Sequence, residues 1–114
     1  MASLFSKFAN MFSSSSKNNG FPSTVEEAVD KILSDLSAYK KAKIANMDEE
    51  RLSVFHQDFG FYIINTMRLW TNELLKQSCC ELDGVSKVST DQASYIILKE
   101  LQNRIRQEGS QKVI

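Results

Sequence analysis

The chain has 114 residues, enough for one domain and not two. Hydrophobic residues make up 42% and charged residues 25%, an ordinary balance for a globular protein. Lysine plus arginine equals aspartate plus glutamate at 14 each, so the basic surplus with which nucleic-acid binders neutralise phosphate is missing, and the one tight basic group, Lys40, Lys41 and Lys43, reads as a solvated helix end.

The first element is "MASLFSKFANMF". Leu4, Phe5, Phe8, Met11 and Phe12 fall at helical spacing, which predicts a short amphipathic helix over residues 1–12. Such a face seeks cover on the chain's own domain, on another subunit, on a partner, or on a membrane. Lys7 is its only charge, which is poor support for lipid, so docking onto protein is expected and contact with a membrane surface ranks below it. Ser6, Lys7 and Asn10 interrupt the apolar residues, so the segment does not read as a signal peptide. "SSSSKNNG" then marks a flexible Ser/Asn-rich linker over 13–21.

"PSTVEEAVDKIL" predicts a helix opened by Ser23 with Glu26 as a capping box, burying Val25, Ala28, Val29, Ile32, Leu33 and Leu36. Ser37 offers a cap for a short helix over "AYKKAKIA". Asp48 caps a long helix, with Glu49 and Glu50 suited to its positive end, and the apolar pattern carries it to about Gln77. Asp83-Gly84 predicts a turn. The last helix opens at Ser89 with Gln92, or at Thr90; it turns Ala93, Ile96, Ile97, Leu101 and Ile105 inward, and Gly109 stops it. No alternating strand pattern competes. The expected fold is all-α, a small bundle of three main helices plus short ones. The domain spans 22–108 and a tail follows over 109–114.

The only histidine, His56, lies in "HQDFGFYIINTMRLW". At about 100° per residue, Leu52, Phe55, Phe59, Ile63, Thr66 and Trp70 share a face, and His56 falls beside it. Asp58 is on nearly the opposite side, so no His-Asp pair forms within this helix. The expectation is a buried imidazole bonded to another helix or to the start of the last one. Gly60 costs helix stability of about 0.5–1 kcal/mol, which close approach of another helix beside His56 would offset. Trp70 and Phe59 are expected in one cluster with Leu36, Ile97 and Leu101. Phe61 and Ile64 point away from the stripe; they are either covered or part of a partner site.

The segments "EEAVDKIL", "HQDFGFYIINTMRLW", "TNELL" and "STDQASYIIL" resemble an uncharacterised bacterial domain family over about residues 22–106. Its pattern is H-F-G-x-G-x-x-I-R-N-x-x-x-L-W followed by P-D-D-x-S. His56, Gly60, Ile63, Asn65, Leu69, Trp70, Asp91 and Ser94 stand at motif positions. Ile64, Thr90 and Gln92 depart from it, where the family has arginine, proline and aspartate. The resemblance implies the all-α fold and no particular activity.

The sequence holds no Gly-rich phosphate loop, no metal-ligand spacing and no nucleophile elbow. Cys79 and Cys80 are adjacent, which disfavours a mutual disulfide, and are read as reduced thiols of a cytoplasmic protein. No cofactor, metal or nucleic acid is expected. The function expected first is a non-catalytic protein-interaction module, an adaptor or an immunity-type protein, binding a partner or a second copy through Leu4, Phe5, Phe8, Met11, Phe12, Phe61 and Ile64. The alternative is an enzyme whose polar site joins His56 and Asp91 across helices.

Overall fold

The computed structural model describes residues 20–113. Leu4, Phe5, Phe8, Met11 and Phe12, with the amphipathic helix expected there, lie outside the described residues. Among the described residues there are five helices and no strand: α1 (Val25–Asp35), α2 (Ala38–Ala45), α3 (Glu49–Met67), α4 (Glu73–Asp83) and α5 (Thr90–Val113). No helix of the described residues is long and apolar enough to cross a membrane.

Local chemistry sets most of the boundaries. The Thr24 hydroxyl accepts the Glu27 amide at 3.1 Å while the Glu27 carboxylate accepts the Ser23 amide at 2.8 Å, so the first capping pair sits one residue later than Ser23–Glu26. Ser37 caps α2 through the Lys40 amide and Asp48 caps α3 through the Arg51 amide, as their positions predict. Ser89 and Gln92 form the reciprocal capping box of α5, at 2.9 and 3.1 Å. Gly84 stops α4 in the left-handed conformation, φ +72°, which a residue without Cβ adopts freely.

Two boundaries differ from the periodicity. The long helix does not continue to Gln77: α3 ends at Met67, and Arg68 takes a left-handed conformation at φ +55°. Asn72 then opens α4. Its Oδ1 accepts the Leu75 amide at 3.1 Å, and its Nδ2 donates to the carbonyls of Pro22 and Met67, both at 2.9 Å. One buried amide thus ties the incoming chain, the end of α3 and the start of α4 together. The second difference is Gly109. It has open space around it and no positive φ, and α5 passes through it to Val113.

α5 is the axis of the fold, packed against each of the other four helices. Ala93, Ser94, Ile97, Leu98, Leu101, Gln102 and Ile105 are its buried residues, a wide stripe at helical spacing. Val25, Ala28, Val29 and Ile32 of α1, Ile44 of α2, Leu52, Ile63, Ile64 and Met67 of α3, and Leu75 and Cys79 of α4 close on it. Ser94 and Gln102 are the polar members, and Gln102 is the one that reaches α2. Its Nε2 donates to the carbonyls of Ile44 and Met47, both at 2.9 Å, and Arg106 donates to those of Ala45 and Met47 at 2.9 and 3.0 Å. Side chains of α5 therefore cap the carbonyls at the end of α2 and just beyond it, adding to the Met47 amide that the Ile44 carbonyl already accepts at 3.2 Å.

Trp70 is a correction. Phe59 and Leu36 pack against the core that holds Ile97 and Leu101, as expected, but Trp70 is 59% exposed. The helix ends three residues before it, so the face that predicted its burial no longer exists there, and Leu69 enters the core in its place.

Candidate functional site

His56 is at the middle of α3, and its ring is half-buried rather than enclosed. Nε2 lies 2.7 Å from Oγ of Ser94 on the first turns of α5. The bond to the start of the last helix is the expected one. The Ser94 hydroxyl donates its proton to the Asp91 carbonyl at 2.8 Å. A hydroxyl has one proton, so Oγ accepts from His56 and Nε2–H is the donor. The neutral ring then carries its lone pair on Nδ1. No buried side-chain nitrogen or oxygen among the described residues lacks a partner, and Nδ1 has none, so Nδ1 reaches the surface. Tyr95 meets the ring edge-on at 5.2 Å between centroids.

Gly60 explains the ring's position. A Cβ there would lie 2.9 Å from Nε2 and 3.1 Å from Cδ2 of His56. The space left by the missing side chain is filled by the imidazole one turn earlier, not by a neighbouring helix. Glycine is what allows His56 to lie back along α3 and meet Ser94.

Burial holds His56 below its ordinary value of 6.5, and the charge of Asp91 pulls the other way. The acid near the imidazole is therefore Asp91 from α5. Asp58, its neighbour in sequence, is exposed on another side.

His56 and Asp91 line two open clefts that meet at these residues. The larger, about 480 Å³, also takes in Asp83, Lys87, Tyr95 and Lys99. The smaller, about 260 Å³, is formed with Gln57, Gly60, Phe61 and Ile64. Phe61 is 64% exposed at its edge, and Val54, one heptad earlier on α3 and outside the cleft's lining, is 59% exposed. Ile64 is a correction: at 5% exposure it is core, and it contributes only to the cleft's lining. Among the described residues, no group of three or more histidine, cysteine, aspartate or glutamate side chains is placed to hold a metal. Cys79 and Cys80 are both free thiols. Burial pushes the Cys79 thiol up to about 12, and it donates to the Ala93 carbonyl, so it is inert packing and not a nucleophile.

Four of the positions that carry the resemblance, His56, Gly60, Asp91 and Ser94, come together here from two helices. The family model of a domain of unknown function, DUF6794, matches residues 21–105. The chain belongs to that family. No curated protein and no solved structure matches it. Sequence reasoning placed Ser94 in the motif without a partner and passed over Val54; the seven-residue spacing of Val54 and Phe61 is the signal that pairs them on one helix face.

Proposed function

We propose that this DUF6794 domain is a non-catalytic protein-interaction module, and that its contact surface is the uncovered face of α3 with the cleft beside it. The observation that carries the reading is Phe61, 64% exposed at the edge of a cleft whose imidazole is held by Ser94. Singly exposed apolar residues are common, but an aromatic beside an oriented imidazole and a carboxylate has the make-up of a binding hot spot. Nδ1 of His56 and the carboxylate of Asp91 both accept hydrogen bonds, and the Phe61 ring offers a face to a cation. The surface suits a partner segment that presents a lysine or arginine next to an apolar side chain. An adaptor or toxin-neutralising role in a bacterial cytoplasm is consistent with such a surface.

The convergence of His56 and Asp91 in one cleft favours a second reading, an enzyme using them as base and acid. Against it, Ser94 is fully buried and its proton is committed to a carbonyl, so it supplies no nucleophile.

Affinity capture from the native cell tests both, using the full chain and its Phe61→Ser and Asp91→Asn variants. The interaction reading expects a protein held by the wild type and released by either substitution, with helicity unchanged. Identical captures by all three chains would reject this surface. Turnover of a small molecule that His56→Gln abolishes would establish the second reading instead.

A further inference from the structure

Trp70 and Leu74 are both exposed, at 59% and 39%, where α3 gives way to α4. The chain comes in at this same place. The Phe21 ring lies 5.3 Å from the Arg68 guanidinium, and the Pro22 carbonyl accepts from Asn72 at 2.9 Å. Arg68 and Asn72 flank Trp70 in sequence. Residues 1–19 are therefore tethered beside the largest exposed apolar side chain of the described residues.

We infer that the Trp70–Leu74 surface is the docking site of the chain's own N-terminal segment, residues 1–12. Three observations carry this. The segment spaces Leu4, Phe5, Phe8, Met11 and Phe12 on one helical face, which needs apolar cover. The stretch from residue 12 to residue 20 extends to roughly 26 Å at about 3.3 Å per residue, ample for a surface adjacent to its anchor. Lys7, the segment's only charged side chain, can add to Glu73, whose side chain pairs with Lys76 at 3.6 Å and is still 82% exposed next to Leu74 in sequence.

The tether also decides which copy of the segment binds. A short linker holds its segment at an effective concentration in the millimolar range. A second copy at micromolar concentration competes at a disadvantage of roughly a thousandfold, so the contact forms within one chain. This inference is independent of the α3 surface proposed above, because Phe61 lies about two helical turns from Arg68.

Trp70 is the only tryptophan, so its fluorescence reports the site directly. The experiment compares the full chain with its Phe5→Ser/Phe8→Ser variant, by emission wavelength and acrylamide quenching, over a wide dilution series. The expected result is a blue-shifted, protected Trp70 in the wild type at every dilution, and in the variant a red shift with a quenching constant raised by about twofold, as befits a ring going from covered to largely exposed. Zero-length carbodiimide coupling of the wild type gives an independent readout. It should join Lys7 to Glu73 within the monomer, whether or not the variant folds. A water-like Trp70 in the wild type with no such cross-link overturns the inference. So does a blue shift that vanishes on dilution, which assigns the surface to a second copy, or one that appears only with lipid vesicles, which assigns the segment to a membrane.

Discussion

The imidazole of His56 occupies the space that a side chain at residue 60 would need, with Nε2 2.9 Å from where its Cβ would be. The glycine and the histidine are one device. Gly60→Ala should raise the helix propensity of α3 and at the same time expel the ring. Loss of the bond to Ser94 and return of the imidazole to water outweigh a propensity gain of about 0.5–1 kcal/mol, because a fully buried hydroxyl is left with one partner fewer. The expected outcome is an NMR titration of the His56 ring that moves up towards 6.5 in the variant, with no gain in stability. An unchanged titration would show that Gly60 does not place the ring.

The lowered His56 value also makes a pH prediction. Between that value and 6.5 the unfolded chain binds more protons than the folded one. Stability therefore falls as pH drops from 6.5 through the folded value, and the contribution vanishes above 6.5, where both states are neutral. The urea midpoint should be flat just above this window and decline within it. His56→Gln should remove that decline while leaving the acid limb due to carboxylates.

Gln102 caps the end of α2 from the middle of α5, with bonds to Ile44 and Met47. Gln102→Leu keeps the volume and removes two buried hydrogen bonds, leaving the Ile44 carbonyl to the Met47 amide and the Met47 carbonyl to Arg106. The expected loss is about 1–3 kcal/mol, read as a lower urea midpoint with an unchanged slope. A loss within about 0.5 kcal/mol would mean that water replaces the amide, as at an ordinary surface site.

Phe61 and Ile64 are three residues apart and should behave oppositely. Ile64→Ala removes a core side chain and should cost about 2–5 kcal/mol. Phe61→Ser should stay within about 0.5 kcal/mol in thermal melts, since its ring is largely in water. Equal losses would place Phe61 in the core and withdraw it from the proposed surface.

What the sequence reveals about this fold is what is decided locally. Ser37, Asp48, Ser89 with Gln92, and Gly84 act on residues within one turn, and each caps or stops its helix where its neighbours predict. The break after Met67 is decided elsewhere. Asn72 reaches the Pro22 carbonyl fifty residues away, while the apolar rhythm runs on through Leu69 and Trp70 as though the helix continued. The "TNELL" stretch does hold a capping asparagine, but nothing local ranks it above the periodicity. At the site, His56 was visible as the residue to explain and Gly60 as the exception beside it. That the two answer each other depends on a rotamer, and the choice of Asp91 over Asp58 depends on the packing of α3 against α5.

Because α5 touches every other helix while α1 to α4 meet one another only sparingly, no lasting core exists until α5 is present. During synthesis the first four helices emerge with their apolar faces unmatched and wait for residues 93 to 105. The nascent chain exposes in that interval the kind of apolar surface that chaperones bind, and a stop before α5 is expected to leave four amphipathic helices in place of a shortened domain.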